Sequence, residues 1–145
     1  GPTCGTLQLL PALDRELDGV TADQLAFIAL ASRRPASIRH LASTFRVSTT
    51  ALRARFARRG LAAPVRVLAA CRALHAVILT HQRVPTRVAA KRLGFATPKH
   101  LLAHVRRGLG QALSTFPNLE TAFGVARTRI YERDGESPAQ EVAIR

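Results

Sequence analysis

The sequence predicts an all-α fold in which two helix-turn-helix subdomains are joined by a long linker helix. Three observations support this fold class. Alanine and leucine dominate, and no segment alternates apolar and polar residues as a half-buried strand does. Apolar residues recur at helical spacing between cap residues in several segments. A short helix, a tight turn and a second helix occur twice, about 48 residues apart.

The first predicted subdomain covers residues 22–63. Its central part is a pair of short helices joined by a tight turn at Arg46-Val47. Ser37 and Ser48 are the N-cap candidates of these helices, because a serine hydroxyl can accept from an unpaired N–H of the first turn. The second helix covers about 49–59. The predicted inner faces of the two helices consist of Ile38, Leu41, Ala42, Phe45, Leu52 and Phe56.

The linker helix is predicted over residues 64–82. Pro64 takes its first position, where the missing N–H of proline costs nothing. An apolar stripe follows, and Cys71 within it is expected to be a small buried residue. The chain's two cysteines, Cys4 and Cys71, do not make a disulfide framework.

The second predicted subdomain covers residues 83–117 and repeats the plan of the first. A short helix over about 85–92 leads into a turn at Leu93-Gly94-Phe95. Thr97 caps the next helix, and Pro98 takes its first position. That helix is predicted to bury Leu101 and Val105 and to end at Gly108 and Gly110.

The two ends of the chain are interpreted as extensions. Residues 1–21 begin with Gly1-Pro2, which resembles the scar of a protease-cleaved tag, so we expect either a piece of a longer protein or a small stand-alone protein. A helix is expected from Thr21 to about Ser32. Residues 118–145 are predicted to be partly helical or flexible, with one helix over about 118–127.

The charge is segregated along the chain. The formal net charge is +13, and the interval 24–119 contains 17 Lys or Arg and no acidic residue. A solvated surface normally mixes both signs, because like charges repel in the compact state. Arginine enrichment from a GC-rich genome is the alternative explanation, but such a bias does not by itself remove every carboxylate. The segregation therefore indicates a polyanionic partner, with nucleic acid favoured over an acidic membrane surface.

The outward positions of the second helix in each pair are the candidate contacts to DNA bases. Arg53 is the strongest candidate, because its planar guanidinium matches the O6 and N7 acceptors of guanine. The outward positions of the second copy offer fewer hydrogen-bonding groups, so we expect unequal halves, the second mostly positioning the protein on the backbone. The candidate base contacts are Thr49, Thr50, Arg53, Lys99 and His100.

Candidate phosphate contacts flank these helices. Arginine and lysine can neutralise phosphates, and the capped N-terminus of each second helix can also face one. The candidates are Arg46, Ser48, Arg55, Arg58, Arg59, Arg87, Lys91, Arg92, Thr97, Arg106 and Arg107.

The order of these motifs resembles the DNA-binding domain of AraC/XylS-type transcription regulators. The resemblance covers about 22–116, and Arg46 stands where the family often has glycine in the first turn. The matching runs are Leu41-Ala42…Ser48…Leu52…Phe56, Pro64…Arg72…Ala76 and Leu93-Gly94-Phe95…Leu101…Val105-Arg106.

The resemblance implies a bacterial regulator that binds double-stranded DNA. Its two recognition helices, about 49–59 and 98–107, would enter successive major grooves on one face of the DNA, often with bending. RNA polymerase is then a candidate second partner, a sensor or dimerisation domain would lie outside this chain, and the location would be cytoplasmic, on the nucleoid. No membrane partner and no cofactor is expected.

Three other classes of function are alternatives to sequence-specific DNA binding. An enzyme is disfavoured, because 24–119 offers no carboxylate as acid, base or metal ligand, and His100 and His104 alone make a weak metal motif. A degenerate second half could instead dock an acidic protein, or the acidic ends could fold back on the basic face. A sequence-indifferent, nucleoid-type DNA binder would share the same charge pattern.

Overall fold

The computed structural model describes Gln24, Ile28 and residues 36–131. The predicted N-terminal extension over 1–21, most of the helix expected from Thr21 and the last residues, 132–145, lie outside the described part. Gln24 and Ile28 are helical and buried. The all-α class is confirmed for the described residues, which contain no strand. The elements are α1 (Ile38–Thr44), α2 (Thr49–Arg58), α3 (Pro64–His81), α4 (Thr86–Arg92), α5 (Pro98–Leu109), a 3₁₀ turn (Leu113–Thr115) and α6 (Leu119–Ile130).

The three predicted side-chain caps, at Ser37, Ser48 and Thr97, are confirmed. The Ser48 hydroxyl accepts from the Ala51 N–H at 3.0 Å, and the Thr97 hydroxyl accepts from the His100 N–H at 3.2 Å. Ser37 caps α1 in the same way, and prolines open α3 and α5. Each such cap contributes about 1 kcal/mol. This contribution matters here because the first turns of α1 to α5 carry no acidic residue to complement the helix dipole.

The turns after α1 and α4 are closed by the same two backbone hydrogen bonds. After α1, the Arg46 N–H donates to the Ser43 carbonyl and the Val47 N–H to the Ala42 carbonyl. After α4, the residues 48 positions later make the same bonds, from Gly94 to Lys91 and from Phe95 to Ala90. Both α1 and α4 have seven residues. The ends of α2 and α3 are closed in the same way, so these bonds alone do not mark a repeat. The repeat rests on the equal lengths of α1 and α4 and on the hydroxyl cap of the helix that follows each, and the α1–α2 segment and the α4–α5 segment are here called the first and second helix pairs.

Two arginines occupy the left-handed region of backbone conformation. Arg46, between α1 and α2, has a φ of 57°, and Arg83, between α3 and α4, has a φ of 64°. Gly94 has a φ of 79° at the position equivalent to Arg46. A residue with a Cβ is about 1–2 kcal/mol less stable than glycine in this region. The first turn is therefore strained where the second is not.

The core is built around α3. Every residue from Ala70 to Leu79 is buried, and α3 contacts α2, α4, α5 and α6. Cys71 is buried as expected, and burial raises the pKa of its thiol to about 12. The thiol therefore stays protonated and unreactive at neutral pH.

Of the two glycines predicted to end α5, Gly110 is confirmed and Gly108 is wrong. The helix continues to Leu109, and Gly110 alone takes the left-handed cap conformation, with a φ of 75°. Gly108 instead marks the place where α5 crosses α3. A Cβ added there would lie 2.7 Å from the Ala69 carbonyl oxygen and 2.9 Å from the Ala73 Cβ. The absence of a side chain thus allows the close approach of the two helices.

The segment after the second helix pair contains a helix that belongs to the core. The sequence placed a helix at about 118–127, and α6 covers Leu119–Ile130 with Asn118 as its N-cap. Its buried residues are Ala122, Ala126 and Ile130, and the helix packs on α3 and α5. The Ala62 N–H donates to the Ile130 carbonyl at 2.7 Å. Arg129 donates to the Arg107 carbonyl at 3.1 Å, and this cationic donor stabilises the C-terminal end of α5.

Gly108→Ala should lower the free energy of unfolding by about 1–2 kcal/mol, because overpacking against α3 outweighs the gain in helix propensity. Gly124→Ala, within α6, is the matched control, since a Cβ there meets nothing within 4 Å. The control should raise the free energy of unfolding by up to about 1 kcal/mol. Urea unfolding of both variants measures the difference. Equal stabilisation by the two substitutions would contradict the close approach.

Candidate nucleic-acid interface

The first helix pair turns its predicted inner residues inward and its candidate base contacts toward solvent. Leu52 and Phe56 on α2 are 0% exposed, whereas Thr50 and Arg53 are exposed and Thr49 is half-buried. This division follows from helical periodicity, since Leu52 and Phe56 are one turn apart on the same face. Arg53 therefore stands on the solvent face of a helix whose opposite face is anchored in the core.

The second helix pair has the same division between core and solvent. Leu101 and Val105 on α5 are 0% exposed, whereas Lys99 and His100 are exposed. Leu102 is also exposed, to 44%, which is unusual for a large apolar residue. The solvent face of α5 is therefore more apolar than that of α2.

The candidate phosphate contacts are almost all on the surface. Arg55 is half-buried, and the remaining ten are exposed. The hydroxyl oxygens of Ser48 and Thr97 accept N–H groups of their own helices, so their O–H groups can still donate outward. Their exposure leaves these residues accessible to a partner. Their contacts to DNA stay predictions.

A buried arginine fixes the second helix pair to α3. Arg72 is 3% exposed, and its Nη2 donates to the Leu93 carbonyl at 2.9 Å, at the end of α4. Its guanidinium carbon also lies 4.5 Å from the centre of the Phe95 ring. The guanidinium interacts favourably with the negative, C-terminal end of the α4 helix dipole. The face of the Phe95 ring stabilises the same cation further. Burial lowers the pKa of Arg72.

His104 completes this cluster from α5. Its Nε2 donates to the Ala69 carbonyl at 3.2 Å, and its ring lies 5.0 Å from that of Phe95. Burial lowers the pKa of His104 below the ordinary value of 6.5, and the charges of Arg72 and Arg107 lower it further. The hydrogen bond to Ala69 partly offsets these effects. His104 is therefore a packing residue held in its neutral form.

Sequence reasoning missed this cluster as a structural unit. Arg72 entered only as part of the family resemblance, and His104 only in a weak metal motif. The one available signal was an arginine inside the apolar stripe of α3, which demands a buried acceptor. No spacing rule identifies that acceptor, because the Leu93 carbonyl belongs to another helix.

The described residues meet the requirements of neither a metal site nor a membrane-spanning helix. Among them, no group of three or more His, Cys, Asp or Glu side chains could hold a metal ion. Within the same part of the chain, no helix has both the length and the apolar character to cross a membrane.

The comparisons with known proteins add no assignment. Protein-family models, curated proteins and solved structures give no match to this chain.

The depressed pKa of His104 should make folding stability depend on pH. The unfolded chain binds the proton more readily than the native state below about pH 6.5, so stability is full above that pH and falls as the pH drops. His104→Gln keeps a donor for Ala69 and should flatten the profile. His100→Gln, at an exposed position of the same helix, is the control. Urea unfolding from about pH 8 to about pH 5 compares the slopes; parallel wild-type and His104→Gln profiles would contradict the role.

Proposed function

We propose that this protein binds double-stranded DNA sequence-specifically, as a transcription regulator of the bacterial AraC/XylS type. In this proposal the two helix pairs are helix-turn-helix subdomains, α3 is their linker helix, and α2 and α5 enter successive major grooves. The observation that carries it is the pairing of repeated structure with uniform charge. Two helix pairs, 48 residues apart, each end in a hydroxyl-capped helix whose exposed charged residues are all cationic.

The solvent face of α2 has the chemistry that base reading needs. A major groove admits one helix, and its base edges pair with arginine and with hydroxyl groups. Thr50 and Arg53 are exposed on α2, and Leu52 and Phe56 are buried on the opposite face of the same helix. The first N–H groups of α2 have no partner within the helix and can bind a phosphate beside Ser48. In this proposal α2 both positions the protein on the DNA backbone and contacts the bases.

The charge distribution supports DNA over other partners. Between residues 36 and 119 the chain has cationic side chains on α1, α2, α4 and α5 and no carboxylate. Neutralising phosphates releases counterions, so such a surface binds DNA with a steep salt dependence. The sequence resemblance to DNA-binding regulators points the same way, and RNA polymerase remains a candidate second partner of that class.

In vitro selection of bound duplexes from a random library, at about physiological salt, tests the proposal directly. A specific regulator should enrich a motif that spans two successive major grooves and is stronger on one half. Retention without an enriched motif would replace the proposal with sequence-indifferent binding. No retention even at low salt would replace it with docking of an acidic protein.

Arg53→Ala should then cost about 1–3 kcal/mol of binding free energy at one base pair of the selected site, because the bidentate contact to guanine is lost. Arg127→Ala removes the same charge from an exposed position of α6 and is the control. Dissociation constants for the selected duplex and its single-base variants measure the effect. Equal losses on all duplexes would show that Arg53 contacts only the backbone.

Arg46→Gly should separate stability from binding. Removing the left-handed strain should raise the free energy of unfolding by about 0.5–1 kcal/mol, after allowance for the greater freedom of glycine in the unfolded chain. Loss of the phosphate contact should weaken binding to all duplexes and reduce the salt slope by about 1. Arg46→Lys keeps both the charge and the strain and should change neither quantity greatly. Unchanged binding by Arg46→Gly would remove Arg46 from the interface.

A further inference from the structure

An open groove runs along the solvent face of α5. It has a volume of about 740 Å³ and lies between the end of α3, α5 and the segment that carries the 3₁₀ turn. Its apolar surface includes Leu102, Leu113 and Phe116. This volume lies within the usual range for small-molecule sites, about 300–1,000 Å³, and such sites combine apolar walls with a few polar groups.

The ionisable residues of the groove are all basic. His81 comes from the last turn of α3, and Lys99 and Arg106 come from the face of α5. All three are exposed, and the lining contains no carboxylate. The Ser114 hydroxyl adds a hydrogen-bond donor, whereas the O–H of Thr80 already donates to the Ala76 carbonyl at 2.9 Å. A ligand that matches this lining has an apolar body and an anionic head.

We propose that this groove binds an amphipathic organic anion, such as a medium-chain carboxylate, with its chain against Leu102 and Phe116 and its carboxylate near Lys99 and Arg106. A DNA phosphate would satisfy the cations and leave the apolar surface uncovered. A neutral apolar ligand would cover that surface and leave the cations without a partner. The combined chemistry favours one ligand that meets both needs.

The bound anion would also compete with DNA, and this second part rests on the proposed function. Lys99 is a candidate base contact and Arg106 a candidate phosphate contact, and both line the groove. A ligand seated on them covers the face of α5 that DNA requires. The groove would thus regulate the second half of the DNA site while leaving α2 unobstructed.

Decanoate, kept below its micelle concentration, is the probe for direct binding to the full chain. Backbone amide NMR shifts should saturate at Leu102, Leu113 and Phe116. Decan-1-ol has the same chain without the charge and should bind about tenfold more weakly, and acetate should give no saturable shift. Equal affinity for decanoate and decanol, or shifts without saturation, would overturn the proposal.

Variants at exposed positions test the residues without endangering the fold. Lys99→Gln and Arg106→Gln should each weaken decanoate binding about tenfold and leave decanol binding unchanged. Leu102→Gln should weaken both ligands. Val65→Gln is the matched control, because Val65 is the other exposed large apolar residue of the described chain, at 40%, and lies outside the groove. Unaltered decanoate affinity in all three groove variants would overturn the assignment.

Competition with the selected duplex distinguishes the two proposals. Decanoate should raise the dissociation constant for DNA in the wild-type protein and have a much smaller effect in Leu102→Gln. Saturable decanoate binding without any DNA binding would support the groove and refute the proposed function. DNA binding without decanoate binding would do the reverse. Binding of an acidic amphipathic peptide at the same amides, without decanoate binding, would overturn the small-ligand proposal in favour of a protein partner.

Discussion

Close packing of α5 on α3 is the constraint on which the second helix pair depends. Gly108 removes the side chain at the crossing, so the two backbones approach closely at Ala69. The hydrogen bond from His104 to Ala69 joins the same two helices, and the hydrogen bond from Arg72 to Leu93 joins α3 to the end of α4. A helix as short as α4 is marginal outside such contacts, so its position follows from α3 rather than from its own propensity.

Local chemistry explains which parts of the fold the sequence could predict. The caps at Ser48 and Thr97 and the opening proline at Pro98 act on their own first turns, so a single sequence reveals them. Gly108 was misread because a glycine looks the same at a helix end and at a helix crossing. The packing of α6 escaped prediction because its inner face uses small residues such as Ala122, which give a weak periodic signal.

The sequence predicted part of the candidate DNA site, namely which faces of α2 and α5 point to solvent. Periodicity assigned the inner and outer faces of α2 and α5, and the structure places the residues accordingly. The groove beside α5 was out of reach, because the end of α3 and the 3₁₀ turn that border it are distant in sequence. The sequence showed only that the outward positions of α5, Leu102 among them, offer few hydrogen-bonding groups. The surroundings of Leu102 now explain why the two halves differ in chemistry.

The left-handed arginines have an evolutionary consequence. Every arginine codon becomes a glycine codon by a single base change, so mutation readily offers the unstrained residue at Arg46 and at Arg83. The equivalent turn after α4 already has the unstrained residue, Gly94. Backbone conformation alone would thus drive both positions toward glycine over time. Both positions nevertheless carry arginine, so at each of them the side chain, rather than the backbone, is the feature that selection would have to maintain.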